Sequence, residues 1–304
     1  MSDLPTATLG RTGLEVTKLG FGAMELRDGS RAGAASEVLN GVLDAGINFI
    51  DTSPDYGGSE ELIGEHLANR RDEFFLASKC GCPVDQPPPA EGQRPEHVFT
   101  PENIRAGVEQ SLRRMGTDHL DLVQFHISPS RETLESNGAV DALVELRDEG
   151  KTRFIGMSGT LPNLVDHIQM GVFDAFQIPY SALELEHEDA IHDAAAAGSG
   201  TIIRGGVARG APAAAADAYA NYPDMFRRRF EERKARWDES DLDDLLDGMT
   251  RMEFMLRFTL SHPDMHTTIV GTSNPHHLAD NVAAAAKGPL PADLYAAAKA
   301  RLVA

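Results

Sequence analysis

Four ionisable residues stand at matching places in this 304-residue chain: Asp51, Tyr56, Lys79 and His126. Asp51 lies near the end of one short apolar run with Tyr56 just beyond it, Lys79 closes the next run, and His126 closes the one after. Each has an ordinary explanation when taken singly. An aspartate ahead of Thr52-Ser53-Pro54 caps loops, a tyrosine packs half-buried, and a strand-end lysine or histidine meets solvent. Together, at successive run ends, they read as one site. When hydride adds to a carbonyl carbon the oxygen becomes an alkoxide and needs a proton, and a general acid works best with a pKa near the working pH. Tyrosine ordinarily titrates near a pKa of about 10, which is high for the task. A neighbouring ammonium favours the phenolate, and a carboxylate holds the ammonium in place. Tyr56 thus suits the proton donor, Lys79 the tuning cation, Asp51 its anchor, and His126 the group that orients the carbonyl oxygen.

The elements that must position these groups can be read from the recurrence of apolar runs rich in branched and aromatic residues. There are eight, at 16–22, 48–53, 74–79, 120–126, 153–159, 175–181, 201–206 and 267–273. Helical signatures separate them, the pattern of βα units feeding a parallel sheet buried on both faces. Thr100-Pro101 offers an N-cap and a first-turn proline before Ile104, Val108 and Leu112. Residues 134–146 carry Leu134, Val140, Leu143 and Leu146 and stop at Glu149-Gly150, and Ser59-Glu60-Glu61 opens another helix. Eight strands alternating with helices predict a (β/α)₈ barrel, with 1–304 as one domain. An open dinucleotide-binding sheet fits less well, because Gly20-x-Gly22 lacks the third glycine of that fingerprint. Segments 6–9 and 14–17 flank Gly10-Arg11-Thr12-Gly13 and predict a hairpin closing the barrel floor. Two excursions, 83–99 with Pro87-Pro88-Pro89 and 211–247, interrupt the rhythm where substrate choice is usually made.

Composition narrows the partners. A formal net charge of −19 disfavours nucleic acid and anionic membrane surfaces. The basic run Phe226-Arg227-Arg228-Arg229-Phe230 is followed by Glu231-Glu232 and reads as a solvated helix face. With only Cys80 and Cys82 there is no disulfide framework, and no exported or membrane-spanning segment is visible, so the expected location is cytoplasmic. No metal is expected, since Cys80-Gly81-Cys82 lacks a second pair and His276-His277 are adjacent. A serine-hydrolase elbow is absent: Gly156-Met157-Ser158-Gly159 has the wrong spacing.

Dinucleotide phosphates need backbone N–H donors and a helix N-terminus, which barrels of this kind commonly supply after strands seven and eight. Arg204-Gly205-Gly206-Val207-Ala208-Arg209-Gly210 is glycine-rich and basic, and Gly271-Thr272-Ser273-Asn274-Pro275 sets hydroxyls and an amide before a proline-started helix.

Nearly end to end, the sequence resembles the aldo-keto reductases. The resemblance is carried by Gly20-Phe21-Gly22-Ala23-Met24, Gly46-Ile47-Asn48-Phe49-Ile50-Asp51-Thr52-Ser53 with Tyr56-Gly57 and Ser59-Glu60, and Ala77-Ser78-Lys79. It continues through Ser111-Leu112-Arg113-Arg114-Met115-Gly116-Thr117-Asp118, Leu120-Asp121-Leu122-Val123-Gln124-Phe125-His126 and Gly150-Lys151-Thr152-Arg153-Phe154-Ile155-Gly156-Met157-Ser158. It implies NADPH as hydride donor, with NADH a second candidate, and an aldehyde or ketone as substrate, with the reverse reaction open on alcohols or sugars. It also implies cofactor contacts from Gly22, Ala23, Met24 and Asp51, with Ser158 and Gln177 on the nicotinamide carboxamide and Asn281 on adenine. The chain departs from the family at Gly159, where asparagine is usual, and at Arg204, where an aromatic residue often stacks. At the 2′-phosphate position it offers Thr272, Ser273 and His277 in place of arginine or lysine, which weakens the expectation of NADPH over NADH. The other function class left open is an NADPH-binding redox-sensing or regulatory subunit with little turnover. The substrate pocket is expected from Met24, Leu26, Tyr56 and the two excursions.

Overall fold

The computed structural model describes residues 4–26, 32–84, 96–214 and 224–303. Two short strands, β1 (Thr6–Thr8) and β2 (Glu15–Thr17), pair antiparallel across a turn at Gly10–Thr12. Eight parallel strands follow and close on themselves: β3 (Leu19–Gly22), β4 (Phe49–Asp51), β5 (Phe75–Cys80), β6 (Leu120–Phe125), β7 (Thr152–Ser158), β8 (Ala175–Pro179), β9 (Gly200–Arg204) and β10 (Thr267–Val270). Interleaved helices form the outer layer: α1 (Ala32–Asp44), α2 (Ser59–Leu67), α3 (Pro101–Met115), α4 (Arg131–Ser136), α5 (Ala139–Asp148), α6 (Asn163–Met170), α7 (Glu188–Ala196), α8 (Asp224–Glu239), α9 (Arg251–Leu260), α10 (Pro275–Ala286) and α11 (Ala292–Val303). This is the (β/α)₈ barrel that the sequence pattern implies. No helix among the described residues is long and apolar enough to cross a membrane.

Two boundaries fall elsewhere than the pattern suggests. The run 16–22 is two elements, because Lys18 divides it. Its N–H donates to Pro5 O at 2.7 Å, extending the hairpin, while its carbonyl accepts from Thr268 N at 2.9 Å, opening the barrel ladder. Periodicity cannot see such a handover, since both strands are buried. The helix expected through 134–146 breaks into α4 and α5 at Asn137-Gly138, where Gly138 takes φ +66°, a backbone state that other residues disfavour. The N-cap at Thr100 forms as expected, with Asn103 N donating to Thr100 Oγ1 at 3.3 Å. Arg228 and Arg229 of the basic run are exposed on α8, and Arg227 pairs with Glu231. Of the two excursions, residues 85–95, which include Pro87-Pro88-Pro89, and 215–223 lie outside the described residues.

The hairpin plugs the barrel. Leu9, Leu14 and Val16 pack against Phe49, Ala77, Leu122, Ala175 and Ile202, the inward-facing side chains of β4, β5, β6, β8 and β9. The turn presses so close to the barrel that a Cβ on Gly10 would lie 2.3 Å from Gly200 N. Arg11 N donates to Gly198 O at 2.7 Å and its guanidinium to Ala197 O, pinning the turn to the α7–β9 connection. Leu9→Ala is therefore expected to lower stability by about 2–5 kcal/mol, the range for emptying a leucine site that cannot collapse. Urea unfolding should show a lower midpoint at an unchanged slope.

Candidate active site

The C-terminal ends of the barrel strands converge on one buried carboxylate. Asp51 ends β4 and is 1% exposed, so its charge must be met entirely by protein groups. Lys79 Nζ, from β5, donates to Asp51 Oδ1 at 2.6 Å and to Thr52 O at 2.8 Å. Two amides take the other oxygen: Gln124 Nε2 of β6 at 2.9 Å and Gln177 Nε2 of β8 at 2.8 Å. Ser158 Oγ at the end of β7 donates to Gln177 Oε1 at 3.1 Å. A single anion on β4 is thus tied directly or through one amide to four other strands. Behind it, Thr52 Oγ1 and Ser59 Oγ share a hydrogen bond of 2.8 Å, and Ser59 Oγ donates to Ala23 O. Ser78 and Arg114 hold the buried Glu60 carboxylate that opens α2. Burial nevertheless pushes the Glu60 pKa up.

Tyr56 sits above the ion pair in the loop after β4, fixed by its N–H to Ser53 O, with Lys79 Nζ 4.9 Å from its ring centre. Burial opposes the Lys79 charge, but the oxygens of Asp51 and Tyr56 outweigh it and hold the ammonium above the ordinary lysine value. His126 follows β6 and meets Tyr56 edge-on, their ring centres 6.1 Å apart. Burial, with the Lys79 charge, pushes its pKa down to about 4 against the pull of Asp55. The next two residues, Ile127 and Ser128, adopt φ +66° and +58°. Left-handed backbone at a β-branched residue is strained, and here neighbouring bonds enforce it. Ser128 Oγ donates to Thr160 O and accepts from Thr160 N, while Asn163 Nδ2 donates to Ser128 O.

Sequence spacing gave no reason to join Asp55, Cys82, His97 and His126, yet their polar atoms all lie within 4.8 Å of one another. Burial alone would raise the Asp55 carboxyl, but His126 and His97 hold it well below the usual carboxylate range.

A family model described as the aldo/keto reductase family matches residues 18–301. The chain belongs to that family. Among its relatives, the uncharacterized oxidoreductase YqkF of Bacillus subtilis is 26% identical over 290 residues, covering 91% of this chain and 90% of that protein. A D-threo-aldose 1-dehydrogenase of a Pseudomonas species is 28% identical, covering 96% of each chain. The holo form of aldo-keto reductase AKR11C1 from Bacillus halodurans superposes with a TM-score of 0.82 at 27% identity, over 98% of this chain and 96% of the other. This aldo-keto reductase is accordingly an NAD(P)H-dependent oxidoreductase that reduces an aldehyde or ketone to an alcohol.

Many of the residues expected around the nicotinamide nucleotide follow the adjacent strands β9, β10 and β3. Gly22 and Gly271 bring the ends of β3 and β10 together so closely that a Cβ on Gly271 would lie 2.3 Å from Gly22 O. Beside them Ala23 is buried and Met24 half-buried, with Arg209 reaching Met24 Sδ at 3.7 Å. After β9, Gly205, Ala208, Arg209 and Gly210 all have positive φ in a loop that also contains Gly206 and Val207. The Ala208 and Gly210 N–H groups are already spent on the Gly205 and Val207 carbonyls. Arg204 ends β9 half-buried, and its Nε is buried without a hydrogen-bond partner among the described residues, an orphan donor that an anionic ligand would satisfy. Asn274 caps α10 through His276 N, and Thr272 Oγ1 accepts from Asn274 N, so a supported helix N-terminus faces the rim. Ser273 is half-buried on that turn; His277 is exposed on its first turn and Asn281 half-buried one turn on. These features fit a dinucleotide. Gly159 has little room for a larger residue: a Cβ there would meet Leu164 Cδ1 at 3.1 Å and Met157 Cγ at 3.2 Å.

Gln124 is the residue of the carboxylate network that the sequence reading left without a role. Its signal was available, because a polar residue two positions before His126 in a buried strand shares that residue's face, whereas Asp121 lies on the opposite one. Gln177 turns out to serve Asp51, its Nε2 donating to Oδ2 at 2.8 Å. Asp51→Asn should cost about 3–5 kcal/mol, because the buried Lys79 ammonium loses its counter-ion. Urea unfolding would register the loss together with a fall in carbonyl turnover.

Proposed function

We propose that Tyr56 delivers the proton to the carbonyl oxygen during reduction, and that Asp51, Lys79 and His126 prepare it to do so. The observation that carries this reading is the Lys79 ammonium, bonded to Asp51 Oδ1 at 2.6 Å and standing 4.9 Å from the Tyr56 ring centre. A reduced nicotinamide supplies the hydride when bound. The chain's own part is to hold the substrate oxygen between the Tyr56 hydroxyl and the His126 ring, donate the phenolic proton, and stabilise the phenolate left behind with the ammonium. Asp51 keeps that ammonium aimed upward, and the two glutamine amides keep Asp51 from turning. His126, held neutral, can carry one N–H for the substrate oxygen without adding a charge beside Lys79. Tyr56→Phe keeps the shape and removes the proton. Carbonyl reduction followed by nicotinamide absorbance should then fall by roughly 10²–10⁴-fold, the usual worth of a positioned general acid, with cofactor affinity unchanged. Turnover within tenfold of wild type would refute the assignment of Tyr56.

We further propose NADPH as the preferred donor, with Ser158 and Gln177 serving the nicotinamide end and Asn281 the adenine. Thr272, Ser273 and His277 stand at the start of α10, where hydroxyls and a helix N-terminus suit a phosphate. None of the three is the always-charged, bidentate group that discriminates a 2′-phosphate most sharply. The kcat/KM ratio for NADPH over NADH should therefore be modest, about tenfold or about 1.4 kcal/mol. His277→Ala should lower it by acting on NADPH alone, and an equal loss with both cofactors would remove His277 from the phosphate site. Both cysteines are free thiols, which accords with a reducing, cytoplasmic setting.

A further inference from the structure

The cluster beside His126 has the dimensions of a metal site. Five of the six distances among its four donor atoms are 3.1 Å (Asp55 Oδ2 to His97 Nε2), 3.2 Å (His97 Nε2 to His126 Nδ1), 3.4 Å (Asp55 Oδ2 to His126 Nδ1), 3.4 Å (Cys82 Sγ to His126 Nδ1) and 3.7 Å (Cys82 Sγ to His97 Nε2). A tetrahedral zinc ion with bonds of about 2.0–2.3 Å sets its ligands about 3.3–3.6 Å apart, with sulfur edges the longest. These five edges straddle that range, and the longest of them involves sulfur; the sixth, Asp55 Oδ2 to Cys82 Sγ, is no more than 4.8 Å.

Hydrogen bonding among the four groups accounts for this convergence poorly. An imidazole nitrogen has either one N–H or one in-plane lone pair, so it can satisfy one neighbour well. Here His126 Nδ1 faces three partners at 3.2–3.4 Å, and His97 Nε2 faces three at 3.1–3.7 Å. Two nitrogens, a thiol and a carboxylate crowd together at these distances, an arrangement that one shared cation would satisfy better than any single proton. Charge also balances, because one carboxylate and one thiolate neutralise a divalent ion while both histidines stay neutral. The donor set of one sulfur, two nitrogens and one oxygen is that of zinc.

We propose that Asp55, Cys82, His97 and His126 bind one zinc ion at the rim of the barrel. Binding forms the Zn–S bond as the Cys82 thiol releases its proton to solvent. All four positions are filled by protein, so the site has no open coordination place and its role is to hold structure. It joins the loop after β4, the loop after β5, the end of β6 and the segment entering α3. It therefore fastens the chain on either side of Tyr56 and fixes the His126 ring with Nδ1 committed and Nε2 left to carry the proton. Asp55, Cys82 and His97 are then positioning residues for the proposed reaction, reached independently of it.

The direct test is metal content of the full chain as purified and after zinc reconstitution and dialysis, together with a cobalt(II) titration. About one zinc per chain is expected, with a cobalt spectrum showing intense visible bands of tetrahedral geometry and a thiolate charge-transfer band. Cys82→Ser should abolish the charge-transfer band. His97→Gln should weaken cobalt binding beyond the ~10–100-fold typical of losing a merely supporting group. Cys80→Ala, which removes the other cysteine, should keep both the metal and the band, and circular dichroism would report whether each variant folds. Wild-type protein that retains no stoichiometric zinc and gives no tetrahedral cobalt spectrum overturns the proposal without reference to any variant. So does a folded Cys82→Ser variant that keeps the charge-transfer band.

Discussion

The rim of this barrel depends on the burial of one ion pair. An ammonium and a carboxylate, each 1% exposed, meet at 2.6 Å between β4 and β5, and neither could remain charged there alone. Pairing does not by itself repay the loss of water; the remaining hydrogen-bond capacity must be filled as well. Thr52 O and the Tyr56 hydroxyl take the other donors of Lys79, and the Gln124 and Gln177 amides meet Asp51. The cost of burying the pair thus fixes the identity and orientation of residues on β6 and β8, and through Ser158 on β7. What looks like a catalytic constellation is also the polar knot that sets the register of those strand ends.

Around that knot, backbone strain is concentrated at a few positions. His126 is followed by two left-handed residues, Ile127 and Ser128, and the carbonyl and hydroxyl of Ser128 are held by Asn163 and Thr160. The chain leaves β6 through a strained backbone held by these bonds. On the cofactor side the backbone itself provides the shape: β3 and β10 touch at Gly22 and Gly271, and the loop after β9 curls through four positive-φ residues.

Much of this was legible in the sequence, and the reasons differ by residue. Eight apolar runs became eight barrel strands because a strand buried on both faces writes a continuous apolar run. Asp51, Tyr56, Lys79 and His126 stood out because ionisable groups at the ends of such runs are unusual, and the fold places every one of those ends at a single rim. The handover at Lys18 and the break at Gly138 were not legible, since each depends on where a backbone group finds its partner rather than on side-chain period. Asp55, Cys82 and His97 were hidden for a further reason. Ligand spacing in a chain reveals sites built on one helix or one turn, whereas these residues are assembled by parallel strands whose ends are far apart in sequence and adjacent in space.

The hairpin at the floor has a bearing on traffic. Among the described residues Leu9, Leu14 and Val16 fill the barrel from below, so a nucleotide and a carbonyl compound bound together would have to share the approach from the strand-end rim.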